Sequence, residues 1–217
     1  QKVSPVATQL TWSHYCELLP LKDINEINYY VKITIEQCLS KRQLRERIRN
    51  KEYQRLDDKT KLKLINKEEI DIKDNIKNPI IIKNKLDIDK EIVSEKILQR
   101  LILEDIPSFL EELGTGYSFI KNEYKIKLGE RYNYIDLLLF NIEYNCYVVV
   151  ELKVIELKKE HIGQIQIYMN YIDNSLRKLT QDKTIGLIIC KKDNKYVIEY
   201  SSDKRILSRE YELINTN

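Results

Sequence analysis

The chain has 217 residues, 42% of them hydrophobic and 33% charged, with 37 Lys and Arg against 34 Asp and Glu for a net charge of +3. This suits a soluble globular protein with one full domain and a small accessory one, and a surplus this small cannot supply nucleic-acid affinity unless the basic residues are clustered. No apolar run approaches the roughly 20 residues of a membrane helix and no charged-then-apolar leader is visible, so a membrane protein is excluded and cytoplasmic residence is predicted.

The chain opens on Gln1 rather than Met, which predicts a processed form or a fragment of something longer. Residues 1–56 read as a helical domain. Asp23 with Glu26 and Ser40 with Gln43 have capping-box spacing, in which two side chains satisfy free amides at a helix start. The pattern predicts helices over Trp12 to Leu19, Ile24 to Cys38 and Lys41 to Gln54. In the third, Arg42, Arg45 and Arg49 recur at three and four residues and share a face apart from Leu44 and Ile48. Seven basic residues against two acidic ones between Lys41 and Arg55 make this a candidate nucleic-acid-binding row in a helix-turn-helix-like pair. A solvated charged face is the bland alternative. A homodimer built on the aromatic helix with Tyr29 and Tyr30 is another.

Residues 57–94 lack clear periodicity and read as a connector. Asn78-Pro79 marks a break, and the run Ile80-Ile81-Ile82 is left to pack against either neighbour. Residues 95–217 read as a mixed α/β core. A helical pattern from Leu98 to Leu113 is interrupted by Pro107, which predicts a kink or a split, and Gly114 suits its end. Strands are predicted over Tyr117 to Leu128, Tyr132 to Phe140 and Cys146 to Val154, then a helix from Glu160 to Lys178, a buried strand from Thr184 to Cys190 and a weaker one from Lys195 to Tyr200. Cys16, Cys38, Cys146 and Cys190 are far apart in apolar surroundings and are expected to be reduced and buried.

Two of these strands carry charges that are costly to bury. Asp136 sits inside YIDLLLF, and Glu151 and Lys153 close the run CYVVVEL. Alternation puts Glu151 and Lys153 on one face of their strand, and an adjacent strand would bring Asp136 to them. Two carboxylates are a sufficient protein share for Mg²⁺, which keeps several waters, and a neighbouring ammonium can position the attacking water and offset phosphate charge. A buried structural ion pair is the competing account. Other chemistries have little to work with. Gly114 and Gly116 suit a turn better than a phosphate cradle, and His14 and His161 are the only histidines available as bases.

The strings YNYIDLLLFNIEYNCYVVVELKV, HIGQIQIYMNYID and TIGLIICKKDNKYVIEY, with FLEELGTGYSFI upstream, resemble the YhcG-like PD-(D/E)XK nuclease family. LTWSHYCELL and KRQLRERIRNKEYQRL resemble its helical N-terminal domain, so the likeness covers most of the chain apart from the connector. The resemblance implies a restriction-endonuclease-like mixed sheet flanked by helices, and a Mg²⁺-dependent (or Mn²⁺-dependent) endonuclease acting on DNA in genome maintenance or defence against foreign DNA. It implies Asp136, Glu151 and Lys153 as the catalytic set, with Asp136 and Glu151 on the metal, and Gln164 and Tyr168 as a Gln-x-x-x-Tyr pair on the following helix. The position that aligns with a further acid in such nucleases holds Gln99. Glu95 and Glu104 are the candidate substitutes. A nuclease fold that has lost activity and serves as a nucleic-acid-binding or assembly module is the alternative.

Overall fold

A computed structural model describes residues 10–201 and 203–215. Gln1 and the first residues of the expected 1–56 domain lie outside the described residues. The chain divides into two compact units, Gln1–Asp74 and Asn75–Asn217.

The first unit is helical: α1 Trp12–Leu18, α2 Ile24–Glu36, α3 Lys41–Arg49 and α4 Asp58–Asn66. Leu18, Tyr30, Ile33, Leu39, Leu44, Tyr53 and Leu56 form its core, with Leu64 of α4 packed against them. The Ser40–Gln43 capping box is present in full. The other predicted box is not. Asp23 caps α2 by accepting the Asn25 amide at 2.8 Å, while Glu26 turns inward and accepts from Gln54 Nε2 at 2.8 Å. α3 ends five residues earlier than expected because Lys51 adopts a left-handed φ of 53°. That bend drives Glu52 inward, where both its oxygens meet Arg47 and one accepts the Tyr29 hydroxyl at 2.7 Å.

The second unit is a six-stranded sheet flanked by helices. Its elements are β1 Ile80–Asn84, α5 Glu95–Glu104, α6 Ile106–Leu113, β2 Tyr117–Leu128, β3 Arg131–Asn141, β4 Cys146–Glu156, α7 Lys159–Ser175, β5 Ile185–Lys192, α8 Lys195–Glu199 and β6 Ile206–Asn215. The strand order is β1-β6-β5-β4-β3-β2. β1, β6, β5 and β4 run parallel, and β3 and β2 add antiparallel neighbours at one side.

Pro107 falls at the start of α6, where its missing amide costs nothing, and Asp105 caps the new helix, so the predicted kink is a clean split. Several expectations change. The stretch 57–94, expected as a connector, supplies α4 to the first unit and β1 to the sheet. Residues 195–199 form a short helix rather than a strand, and β6 was not anticipated. Cys146 and Cys190 are buried as expected, whereas Cys16 and Cys38 are exposed. Among the described residues no helix is long and apolar enough to cross a membrane.

β4 is the central strand and is buried on both faces from Val148 to Lys153, which lets it carry a charge only where another charge meets it. α7 covers one face with Ile165, Tyr168, Met169 and Ile172, the spacing of a single helical stripe. It approaches β5 so closely that a Cβ on Gly186 would lie 2.5 Å from Met169 Sδ and 3.0 Å from Ile165 Cδ1. Gly186→Ala is therefore expected to destabilise the protein by about 1–3 kcal/mol through overpacking, measured by urea denaturation. Unchanged stability would mean that α7 can lift from the sheet at no cost.

Candidate active site

The site is assembled where β3 and β4 part. Their antiparallel register runs from Asn141↔Cys146 to Leu137↔Val150 and stops there. At the next step the Asp136 carboxylate takes the place of a backbone acceptor, with Oδ2 receiving the Leu152 amide at 2.7 Å. Gln99 of α5 donates its side-chain amide to the Asp136 backbone carbonyl at 2.9 Å, clamping the same residue from the other direction.

On β4, Lys153 Nζ donates to Glu151 Oε1 at 2.9 Å and to Glu95 Oε2 at 3.3 Å. Glu95 thus enters from the first turn of α5, one turn ahead of Gln99. Glu104 does not. It is the exposed last residue of that helix, and nine residues at about 1.5 Å per residue place it a dozen or so ångströms along the axis.

The electrostatics follow from burial. Glu151 is 2% exposed, and its second oxygen, Oε2, is buried without a hydrogen-bond partner among the described residues. Burial first, and the Asp136 charge second, push its pKa up to about 7, against the opposing pull of Lys153. Burial likewise raises Asp136, despite the Leu152 amide and Lys153. For Lys153 burial works downward, but Glu151, Glu95 and Asp136 outweigh it, so the net shift is upward and the side chain is held as an ammonium.

Gln164 and Tyr168 stand together on α7, with Gln164 Nε2 donating to the Tyr168 hydroxyl at 3.0 Å. Tyr168 is raised mainly by burial, with Glu151 and Asp136 also contributing, so its hydroxyl lies within electrostatic reach of both acids. His161 closes the start of α7, accepting the Lys158 amide on Nδ1 at 3.1 Å. Burial, with Lys153 next, lowers its pKa and keeps it neutral.

Of the residues singled out in the sequence, Asp136, Glu151, Lys153 and Glu95 form one cluster with Gln164 and Tyr168 alongside. Arg42, Arg45 and Arg49 belong to the helical unit. All three are exposed on α3, but Arg45 is engaged, donating to both oxygens of Glu17 at 2.9 and 2.7 Å. Gln99 was visible in the sequence only as a missing acid. Its bracing of Asp136 left no signal there, because nothing in the spacing says which carbonyl an amide will reach.

The donor set fits a hard divalent cation. A buried carboxylate with one unsatisfied oxygen, beside a second carboxylate raised by burial, has only the Lys153 ammonium to offset two acids, and the two acids leave one oxygen each uncommitted to the protein. Among the described residues no group of three or more His, Cys, Asp or Glu is placed to hold an ion.

A mixed sheet flanked by helices, with a carboxylate midway along one strand and Glu-x-Lys on the next, is a restriction-endonuclease-like core. The chain belongs to the YhcG PDDEXK nuclease domain family, whose model matches residues 73–217, and residues 1–55 match the DUF1016 N-terminal domain. It is 25% identical over 220 residues to "Putative nuclease YhcG" of Escherichia coli (strain K12), covering 98% of this chain and 59% of the relative's length. Among solved structures, a repair endonuclease from Pyrococcus abyssi aligns with a TM-score of 0.38 at 16% identity, over 57% of this chain and 47% of the other. EndoMS in complex with double-stranded DNA aligns with a TM-score of 0.38 at 19% identity, over 56% and 44%.

Proposed function

We propose that this chain is a metal-dependent endonuclease that hydrolyses phosphodiester bonds in DNA, with Mg²⁺ as the ion and Mn²⁺ as an effective substitute. Glu151 Oε2 is the observation that carries this reading: burying a carboxylate oxygen without a hydrogen-bond partner is costly, and a cation within its reach would offset that cost.

Asp136 and Glu151 would hold the ion. When bound, it would supply Lewis acidity toward a phosphate oxygen and lower the pKa of a coordinated water. Lys153, kept protonated by three carboxylates, donates hydrogen bonds toward the attacking water or a phosphate oxygen and compensates the charge that builds at phosphorus. It does not serve as the base. Tyr168, its hydroxyl oriented by Gln164, lines the same side and presents a donor to the phosphate. Gln99 holds the Asp136 backbone rather than the ion, so Glu95 is the residue from α5 closest to the chemistry.

The test is calorimetric titration of the metal-free protein with Mn²⁺. Binding is expected in the parent and loss of it in Asp136→Ala, together with loss of Mg²⁺-dependent cleavage of DNA. Absence of binding in the parent would favour an inactive nuclease fold used for binding or assembly.

The helical unit is read as the part that engages the nucleic acid or a partner. Of the arginine row on α3, Arg42 and Arg49 are exposed, whereas Arg45 is held by Glu17. Arg42→Ala and Arg49→Ala are each expected to flatten the salt dependence of DNA binding by about one unit of slope, and Arg45→Ala by less. Equal slopes for all variants would assign this face to a protein interface.

A further inference from the structure

The nuclease unit holds a second feature, a cavity of about 610 Å³ lined by Lys159, Ile162, Asn194, Tyr196, Tyr200 and Ser201. That volume is in the range that accepts a small organic group. Tyr196 on α8 and Tyr200 just after it are one helical turn apart, and they are 73% and 82% exposed, an unusual amount of aromatic surface to leave in water. Ser201 Oγ is buried with no hydrogen-bond partner among the described residues. Asn194 donates its amide nitrogen to Glu156 Oε1 at 3.1 Å, which fixes the group and leaves its oxygen to accept. The cavity lies where β4 ends: Glu156, which Asn194 holds, is the last residue of that strand, about 10 Å along it from Lys153 at some 3.3 Å per residue.

Stacking faces, an amide acceptor, a hydroxyl and an exposed ammonium in one cavity match the parts of a nucleotide. Aromatic faces accept any base, the polar groups meet its edge, and the ammonium meets the neighbouring phosphate. A base paired inside a duplex cannot present its face or its edge to such a pocket. We infer that the cavity takes one unpaired nucleobase of the substrate strand beside the cleaved phosphate, so that the protein acts on single-stranded or branched nucleic acid rather than on fully paired duplex. This inference rests on the nuclease reading of the neighbouring carboxylates.

The test measures binding on a Glu151→Gln background without metal, so that nothing is cut. The probe is a single-stranded deoxyoligonucleotide, carrying 2-aminopurine or an abasic site at successive positions. At one position the fluorescence is expected to be quenched on binding and the abasic site to weaken binding by about tenfold or more. Tyr196→Ala with Tyr200→Ala should remove both effects, and Tyr196→Phe with Tyr200→Phe should keep them. Both tyrosines are exposed, so these changes leave folding intact.

Equal affinity for intact and abasic strands at every position, or unchanged behaviour of the alanine variant, overturns the inference. Base-independent binding with Glu151-dependent cleavage removes the pocket and leaves the nuclease. Base-dependent binding with cleavage unaffected by Glu151→Ala does the reverse.

Discussion

Glu151→Gln is expected to reduce Mg²⁺-dependent cleavage by about 10³-fold or more, the scale of losing a cation's share of transition-state stabilisation, and yet to make the metal-free protein more stable at pH 8. The sign follows from its pKa. A carboxyl pushed up to about 7 from an ordinary value of 4.5 favours the protonated form in the fold. The associated stability is fully present below 4.5 and is lost as pH rises through 7, an effect on the order of 3 kcal/mol. Glutamine has the same shape without the charge and escapes that loss. Thermal melts in EDTA at pH 5 and pH 8 should therefore show the variant gaining stability only at the higher pH. In the parent, Mn²⁺ should restore stability at pH 8, with apparent affinity growing as pH rises toward 7 because binding displaces a proton. A variant destabilised equally at both pH values would show that Glu151 and Lys153 form an ordinary structural ion pair.

Lys153→Met should have the second largest effect, with the opposite sign for stability. The side chain is 8% exposed and serves as counter-ion to buried acids, so its loss leaves Glu151 and Asp136 uncompensated. Removing one partner of a buried pair costs about 3–5 kcal/mol, and here the cost should fall at pH 5, where Glu151 is protonated. Cleavage should drop by about 10²-fold or more while Mn²⁺ still binds and recovers much of the lost stability at pH 8. Retained cleavage would remove Lys153 from the mechanism. Loss of Mn²⁺ binding would make it an organiser of the carboxylates instead.

Much of this was legible because the signals are local. Ser40–Gln43 and Pro107 mark helix boundaries through backbone chemistry that acts within four residues. Apolar runs around Asp136 and Glu151 marked β3 and β4 as buried strands, and a buried strand tolerates a carboxylate only with a partner. The elements that were missed depend on distant ones. β6 contains the charged residues Arg209 and Glu210, whose place in the strand depends on distant partners: Arg209 Nε bonds the Ile76 carbonyl at 3.0 Å and Glu210 Oε1 takes the Asp193 amide at 2.9 Å. β1 is a five-residue edge strand whose ladder with β6 joins residues more than a hundred apart, which no periodicity announces. At 195–199, the aromatic and β-branched content of KYVIE argued for a strand, and the short helix shows tertiary context overriding that preference. In the site, the two-residue spacing of Glu151 and Lys153 was readable. Glu95 was a bare candidate until a bond spanning 58 residues tied it to Lys153.

The bond from the Leu152 amide to Asp136 has a consequence for observing this protein in solution. It is a main-chain proton held by the very carboxylate proposed to bind the ion, and it sits in the stretch of β4 that is buried on both faces. Its resonance and its exchange with solvent are therefore coupled to whatever that carboxylate does, and a single backbone signal becomes a built-in gauge of the site's occupancy, readable without substrate and without turnover.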